Sequence, residues 1–148
     1  MSVMGIALEE ARAAARRGEV PVGAVVLSPA GLVLARAGNR IEENNAASHA
    51  ELLALRAAAE TLGTPRLPGC DLVVTLEPCP MCAAAACLFR IRRLVFGAYD
   101  PKGGGVEHGP RIFSSASCNH RPEVIGGVQE SECSALLKEF FAARRPAF

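Results

Sequence analysis

The chain has 148 residues, half of them hydrophobic, with 16 Lys/Arg against 15 Asp/Glu, a formal net charge of +1 and six cysteines. That length fits one domain over residues 1–148 with a single buried core. The near-neutral balance excludes a protein that grips nucleic acid by bulk charge, although residues 90–148 hold nine Lys/Arg against six Asp/Glu, including Arg90, Arg92, Arg93, Arg144 and Arg145.

Val3 to Arg17 has the amphipathic spacing of a helix, with Gly18 as its stop. Val22 to Leu27 and Leu32 to Ala37 are β-rich runs on either side of the turn Ser28-Pro29-Ala30-Gly31, which predicts a hairpin. Asn39 to Ala47 is polar loop. Ser48 is the expected N-cap of a helix from His49 to Leu62, in which Leu52, Leu55, Ala58 and Ala59 recur at helical spacing. A Pro/Gly-rich connection, Gly63 to Gly69, leads to a short buried strand from Leu72 to Leu76. The next helix runs from about Pro80 to Phe89 and is dominated by Ala83 to Ala86. Leu94 to Ala98 is a fourth strand. Asp100 to Ser117 is Gly-rich and irregular, and a loop of that length in a compact domain is usually functional. Val124 to Val128 is a fifth strand, and Glu130 to Arg145 is a helix with Cys133, Leu136, Leu137, Phe140 and Phe141 facing inward. This order implies an α/β fold in three layers, α/β/α, around a mixed sheet of about five strands. Functional sites in such folds lie beyond the carboxyl ends of parallel strands, where Cys79 falls.

The first 18 residues lack an apolar core and a small-residue cleavage site, and no apolar run reaches transmembrane length. The expected setting is cytoplasmic and reducing, with no membrane partner. Cys70, Cys87, Cys118 and Cys133 are then expected as free thiols packed like small apolar groups.

The chemistry concentrates in His49-Ala50-Glu51 and Pro78-Cys79-Pro80-Met81-Cys82. One imidazole and two thiolates make three zinc ligands, and a catalytic zinc keeps its fourth tetrahedral position for water. Two thiolates and a neutral imidazole cancel the charge of Zn²⁺, and the bound metal still acidifies water. Cys79 and Cys82, at i and i+3, lie on one side of a helix start, whose dipole favours thiolates. Pro78 and Pro80 suit that start, where a missing N–H costs little. His49 and Glu51 would diverge in mid-helix, yet at a helix N-terminus both can bracket a group beyond the axis end. Two helix starts aimed at one metal are therefore expected, with Glu51 left free to move protons. His-x-Glu with Pro-Cys-x-x-Cys is the known signature of zinc-dependent nucleobase deaminases. A redox C-x-x-C, or a structural site closed by Cys70 or Cys87, is the competing reading of the cysteines alone.

Glu19-Val20-Pro21-Val22-Gly23-Ala24, Thr75-Leu76-Glu77-Pro78-Cys79-Pro80-Met81-Cys82, Phe96-Gly97-Ala98-Tyr99-Asp100-Pro101-Lys102, Asn119-His120-Arg121 and Phe140-Phe141-Ala142-Ala143-Arg144-Arg145 extend the metal motif. Together they resemble the bacterial tRNA-specific adenosine deaminases, from the first helix to the last. The resemblance implies a cytidine-deaminase-like fold, one zinc per chain, a homodimer, and conversion of adenosine to inosine at the wobble position of a tRNA anticodon stem-loop. It assigns the ligands to His49, Cys79 and Cys82 and the proton shuttle to Glu51. Substrate contacts are expected at Asn39, Ala50, Asp100, Asn119, His120, Phe141 and Arg144. The chain departs from the family pattern at Asn45-Ala46-Ala47-Ser48, which raises the question of how this loop supports Asn39.

In the implied reaction, zinc-activated water attacks C6 of adenine while Glu51 passes the water proton to N1 and then to the leaving amine. The base must leave its stack, which a single-stranded loop allows most easily. The alternative function is a zinc-dependent deaminase of a free base or nucleoside, such as guanine or cytosine. It would share these catalytic residues but would not need Arg144 and Arg145 on an exposed helix. A zinc-bearing scaffold without catalysis is a third reading, against which the retained Glu51 stands. His108 is a further substrate-facing candidate in the Gly-rich loop. One of Phe140 and Phe141 is a candidate to stack on a base.

Overall fold

The structure is a computed structural model and describes residues 1–144. Arg145, expected at the end of the last helix, lies outside the described residues.

The elements follow in the order α1 (Val3–Arg16), β1 (Gly23–Leu27), β2 (Val33–Gly38), α2 (Ala50–Leu62), β3 (Asp71–Leu76), α3 (Pro80–Phe89), β4 (Arg93–Ala98), β5 (Glu123–Ile125) and α4 (Glu130–Ala143). A 3₁₀ turn, Ile112–Ser114, interrupts the loop between β4 and β5. The sheet order is β2-β1-β3-β4-β5. β1 is antiparallel to β2 and β3, whereas β4 is parallel to β3 and β5. α1 and α4 cover one face and α2 and α3 the other, which gives the expected three layers.

Sequence spacing explains both layers. In α1, Met4, Ala7, Leu8, Ala11 and Ala14 form one buried stripe, and Ser2 caps the helix by accepting the Gly5 N–H at 3.0 Å. A Cβ on Gly23 would strike the Ala7 carbonyl, so only glycine lets α1 lie this close to β1. On the opposite face Leu55, Leu67, Leu72, Leu94 and Phe96 are wholly buried. Each such side chain contributes roughly 1.5–3 kcal/mol of hydrophobic stabilisation. Cys70, Cys87, Cys118 and Cys133 are buried free thiols, as expected.

Three boundaries differ from expectation. The N-cap of α2 is His49 rather than Ser48, because the Ser48 carbonyl is drawn away to accept the Arg40 N–H at 3.0 Å. β5 covers only Glu123–Ile125, and the chain then passes tightly by Phe96 and Tyr99 at Gly126, where a Cβ would collide with the Phe96 ring and the Tyr99 hydroxyl. In α4, Phe140 is buried while Phe141 is 51% exposed, so only the first of the pair joins the core.

Candidate metal centre and substrate pocket

His49 is the N-cap of α2 and Cys79 the N-cap of α3, with Glu51 and Cys82 in the respective first turns. Proline at the first position of α3 fixes where that helix begins. The two starts converge. His49 Nδ1 lies 3.5 Å from Cys79 Sγ and 3.6 Å from Cys82 Sγ. A tetrahedral zinc with Zn–N near 2.0–2.1 Å and Zn–S near 2.3 Å requires N···S edges of about 3.6 Å. The donor set therefore has the size zinc needs. Among the described residues no fourth His, Cys, Asp or Glu joins the group, and neither Cys70 nor Cys87 closes it.

Electrostatics sort the protons. The Cys79 thiol is brought down to about 4, first by the hydrogen bond with Cys82 and also by His49, against the opposing effect of burial. Cys82 is pushed up by that same bond with Cys79 and by burial. Zinc takes both sulfurs as thiolates, so its binding releases protons. The His49 imidazole is raised above its ordinary value, chiefly by Cys79. Glu51 is only 4% exposed, and burial pushes its carboxyl up to about 7 against the pull of its own backbone N–H. A carboxyl poised near neutrality both accepts and returns a proton.

A cavity of about 240 Å³ opens over the cluster, lined by Val20, Val22, Asn39, Ile41, His49, Glu51, Leu76, Glu77, Cys79, Asp100 and Gly103. Two buried carboxylates hold its walls. Glu19 accepts the N–H groups of Ile41 at 2.9 Å, Glu42 at 3.0 Å and Glu43 at 3.2 Å. Glu77, at the end of β3, accepts those of Asp100 at 3.0 Å, Val106 at 3.2 Å, Glu107 at 2.9 Å and His108 at 3.1 Å. It also pairs with His108 Nδ1 at 2.8 Å. Sequence reasoning gave neither Glu19 nor Glu77 a role. The visible signal for Glu77 was a carboxylate at the end of an apolar strand, where burial demands partners.

The expected substrate residues divide. Asn39 lines the cavity, and its Oδ1 accepts the Ala50 N–H at 2.8 Å, serving the first turn of α2 from across the pocket. Ala50 is fully buried and does not line the cavity, and its N–H is taken by Asn39. The loop at Asn45 supports itself: Asn45 Oδ1 accepts from Ala47 N–H at 3.0 Å and Ser48 Oγ at 3.3 Å. Asp100 lines the cavity while its Oδ1 accepts the Lys102 and Gly103 N–H groups at 3.2 and 2.9 Å, a turn-capping role. Phe141 lines an adjoining cleft of about 590 Å³ with Tyr99, Lys102 and Leu137, continuous with the cavity through Val20, Leu76 and Asp100. Arg144 stands 3.6 Å over the Phe140 ring. Asn119 and His120 are not brought to this pocket. They border a separate cleft with Arg66 and Arg90, where His120 Nε2 donates to the Ile91 carbonyl at 2.8 Å. His108 is tied to Glu77.

Comparison with known proteins agrees with this geometry. Residues 1–98 match the family described as the cytidine and deoxycytidylate deaminase zinc-binding region. The chain is 54% identical over 143 residues to the tRNA-specific adenosine deaminase of Agrobacterium fabrum, covering 96% of this chain and 93% of that protein. A solved structure from biochemical and structural studies of A-to-I editing by tRNA:A34 deaminases at the wobble position superposes with a TM-score of 0.89. Its identity is 56%, over 90% of this chain and 97% of the other. A guanine deaminase from Nitrosomonas europaea is more distant, with a TM-score of 0.75 and 31% identity over 94% of this chain and 82% of that one.

Proposed function

The chain belongs to the tRNA-specific adenosine deaminases of the cytidine and deoxycytidylate deaminase zinc-binding family, and from that premise we propose that it converts adenosine to inosine at the wobble position of a tRNA anticodon stem-loop. The observation that carries the chemistry is the His49, Cys79 and Cys82 donor set with Glu51 buried in the wall of the same cavity. Zinc, when held by these three residues, supplies the Lewis acidity that makes water nucleophilic at neutral pH. Glu51 takes the proton from the attacking water, delivers it to N1 of the purine and assists departure of ammonia. Asn39 spends its Oδ1 on the Ala50 N–H and keeps its amide donors for the nucleoside. The apolar walls Val20, Val22, Ile41 and Leu76 exclude bulk water around the base.

A base enters this recessed cavity only when flipped out, and the adjoining cleft offers Phe141 as a stacking surface for the next nucleotide. Lys102 lines the same cleft and supplies positive charge there. The free-base reading needs neither the stacking surface nor the added charge. We also propose a homodimer. Ala83, Ala85 and Ala86 face the chain's own core, whereas Met81 and Leu88, respectively 39% and 74% exposed, form with Ala84 an outward apolar stripe on α3. Among the described residues no helix is long and apolar enough to cross a membrane.

The test is to treat tRNA transcripts with the purified zinc protein and sequence them, since inosine reads as guanosine. Ammonia release from free adenosine, guanine and cytosine is measured in parallel. A change confined to the wobble adenosine is expected. Ammonia from guanine with unaltered tRNA overturns the assignment.

A further inference from the structure

Two cysteines outside the metal centre are in unusual contact. Cys87 lies in the last turn of α3, and Cys118 lies in the loop beyond the 3₁₀ turn. Their Sγ atoms are 2.8 Å apart, well inside the roughly 3.5–4.0 Å at which non-bonded heavy atoms rest. The Cys118 thiol is the donor, directed at Cys87 Sγ and at the His120 carbonyl, 3.2 Å away. Cys87 is the accepting sulfur of that contact. Burial, and then Cys87 itself, hold the Cys118 thiol above its ordinary value and keep it a donor.

Both sulfurs line a cavity of about 310 Å³ beside Ala84, Leu88 and Ile112, and Cys87 also borders the cleft of about 120 Å³ that holds Arg66 and Asn119. Small solutes thus have two approaches. The deaminase chemistry uses neither cysteine. The remaining non-ligand thiols, Cys70 and Cys133, have no hydrogen-bonded sulfur partner among the described residues.

We propose that Cys87 and Cys118 form a disulfide when the protein meets hydrogen peroxide, with Cys87, which borders both cavities, as the attacking sulfur and Cys118 as the resolving thiol. The Cys87 sulfur attacks one peroxide oxygen, so an S–O bond forms, the O–O bond breaks, and hydroxide leaves and takes up the thiol proton as water. Cys118 sulfur then attacks the sulfenic sulfur. The S–S bond forms, the S–O bond breaks, and the departing hydroxide carries off the second thiol proton as water. Two thiols and one peroxide give one disulfide and two waters. The bond fastens the end of α3 to the loop leading to Asn119 and His120, and the metal ligands stay outside the reaction.

The zinc-loaded protein is exposed to stoichiometric hydrogen peroxide, alkylated, digested and mapped by mass spectrometry. Peptides bearing Cys87 and Cys118 should appear joined, about 2 Da lighter than their sum, while Cys70 and Cys133 remain alkylatable. Zinc content should be unchanged, and dithiothreitol should release the bond. In Cys118→Ser, Cys87 should progress to sulfinic acid instead. Full alkylation of both cysteines under conditions that oxidise a free cysteine peptide overturns the proposal. Pairing of Cys87 with any cysteine other than Cys118 of the same chain does the same.

Discussion

Replacing Glu77 by Gln tests how the pocket wall is held, because the change preserves shape and removes only the charge. Oε2 of Glu77 accepts three backbone N–H groups, from Val106, Glu107 and His108, and Oε1 accepts from Asp100 N and His108 Nδ1. A glutamine can keep its oxygen at the three-donor position only by turning its NH₂ toward the Asp100 N–H. One buried donor is then orphaned, at about 1–3 kcal/mol, and three charge-assisted bonds become neutral ones at roughly half their strength. Relief from burying a charge offsets part of this, so the net loss should be about 2–4 kcal/mol. Urea unfolding of the zinc protein at neutral pH measures it. The pH dependence supplies an independent check. Burial pushes the Glu77 carboxyl up, but the Asp100 N–H, His108 and the N–H groups of Glu107 and Val106 outweigh it and hold the folded value below 4.5. A depressed carboxyl stabilises the fold above its unfolded pKa, and that stability is lost as pH falls through the folded value. The wild type and Glu77→Gln should therefore differ most at neutral pH and converge well below pH 4.5. Equal stability at pH 7, or a gap that persists unchanged into acid, refutes the account.

Glu51→Gln should retain one zinc per chain by metal analysis while turnover falls by about 10²–10⁴-fold; near-normal turnover would assign the proton transfer to another group. Cys79→Ala and Cys82→Ala should each lose the metal, and full zinc occupancy in either would remove it from the ligand set. Asp100→Asn keeps an Oδ1 for the Lys102 and Gly103 N–H groups, so the fold should persist. If the carboxylate also accepts a ribose 2′-OH, the ratio of activity on an RNA hairpin to activity on the same DNA hairpin should fall. An unchanged ratio leaves Asp100 as a turn residue. Sedimentation at micromolar concentration should show a dimer that Leu88→Glu splits, and a fully active monomer contradicts the proposed assembly.

The metal centre was legible in the sequence because its geometry is local. His49 and Cys79 occupy helix N-caps, and offsets of two and three residues at a helix start leave little choice about where Glu51 and Cys82 point. The sheet was legible for a similar reason, since each strand is a short apolar run bounded by turn residues. What escaped depends on partners distant in the chain. Ser48 has the chemistry of an N-cap, yet the Ala50 N–H is served by Asn39, eleven residues earlier. Phe140 and Phe141 look alike in sequence, and only the rotation of α4 against β4 decides which is buried. Asn119 and His120 are expected to meet substrate by resemblance alone, and the Ile91 carbonyl fixes His120 at a cleft apart from the metal.

The two clamping carboxylates also change how the pocket's charge is counted. Glu51, Glu77 and Asp100 all line the cavity, and three carboxylates would repel a phosphodiester chain. Glu77 is fully enclosed and directs its charge onto four backbone N–H groups and His108. Glu19, behind the opposite wall, is likewise absorbed by the N–H groups of residues 41–43. Burial pushes the Glu51 carboxyl up to about 7. Asp100 is the one carboxylate of the three left largely to face a substrate, and it already gives one oxygen to its own turn. The acidic residues that build the pocket thus do not make it strongly anionic. Buried carboxylates let irregular loops, which have no sheet or helix to satisfy their N–H groups, stand as firm walls beside the metal. Held in this way, their charge is spread over backbone N–H groups inside the walls, and Lys102 adds a cation on the rim of the adjoining cleft.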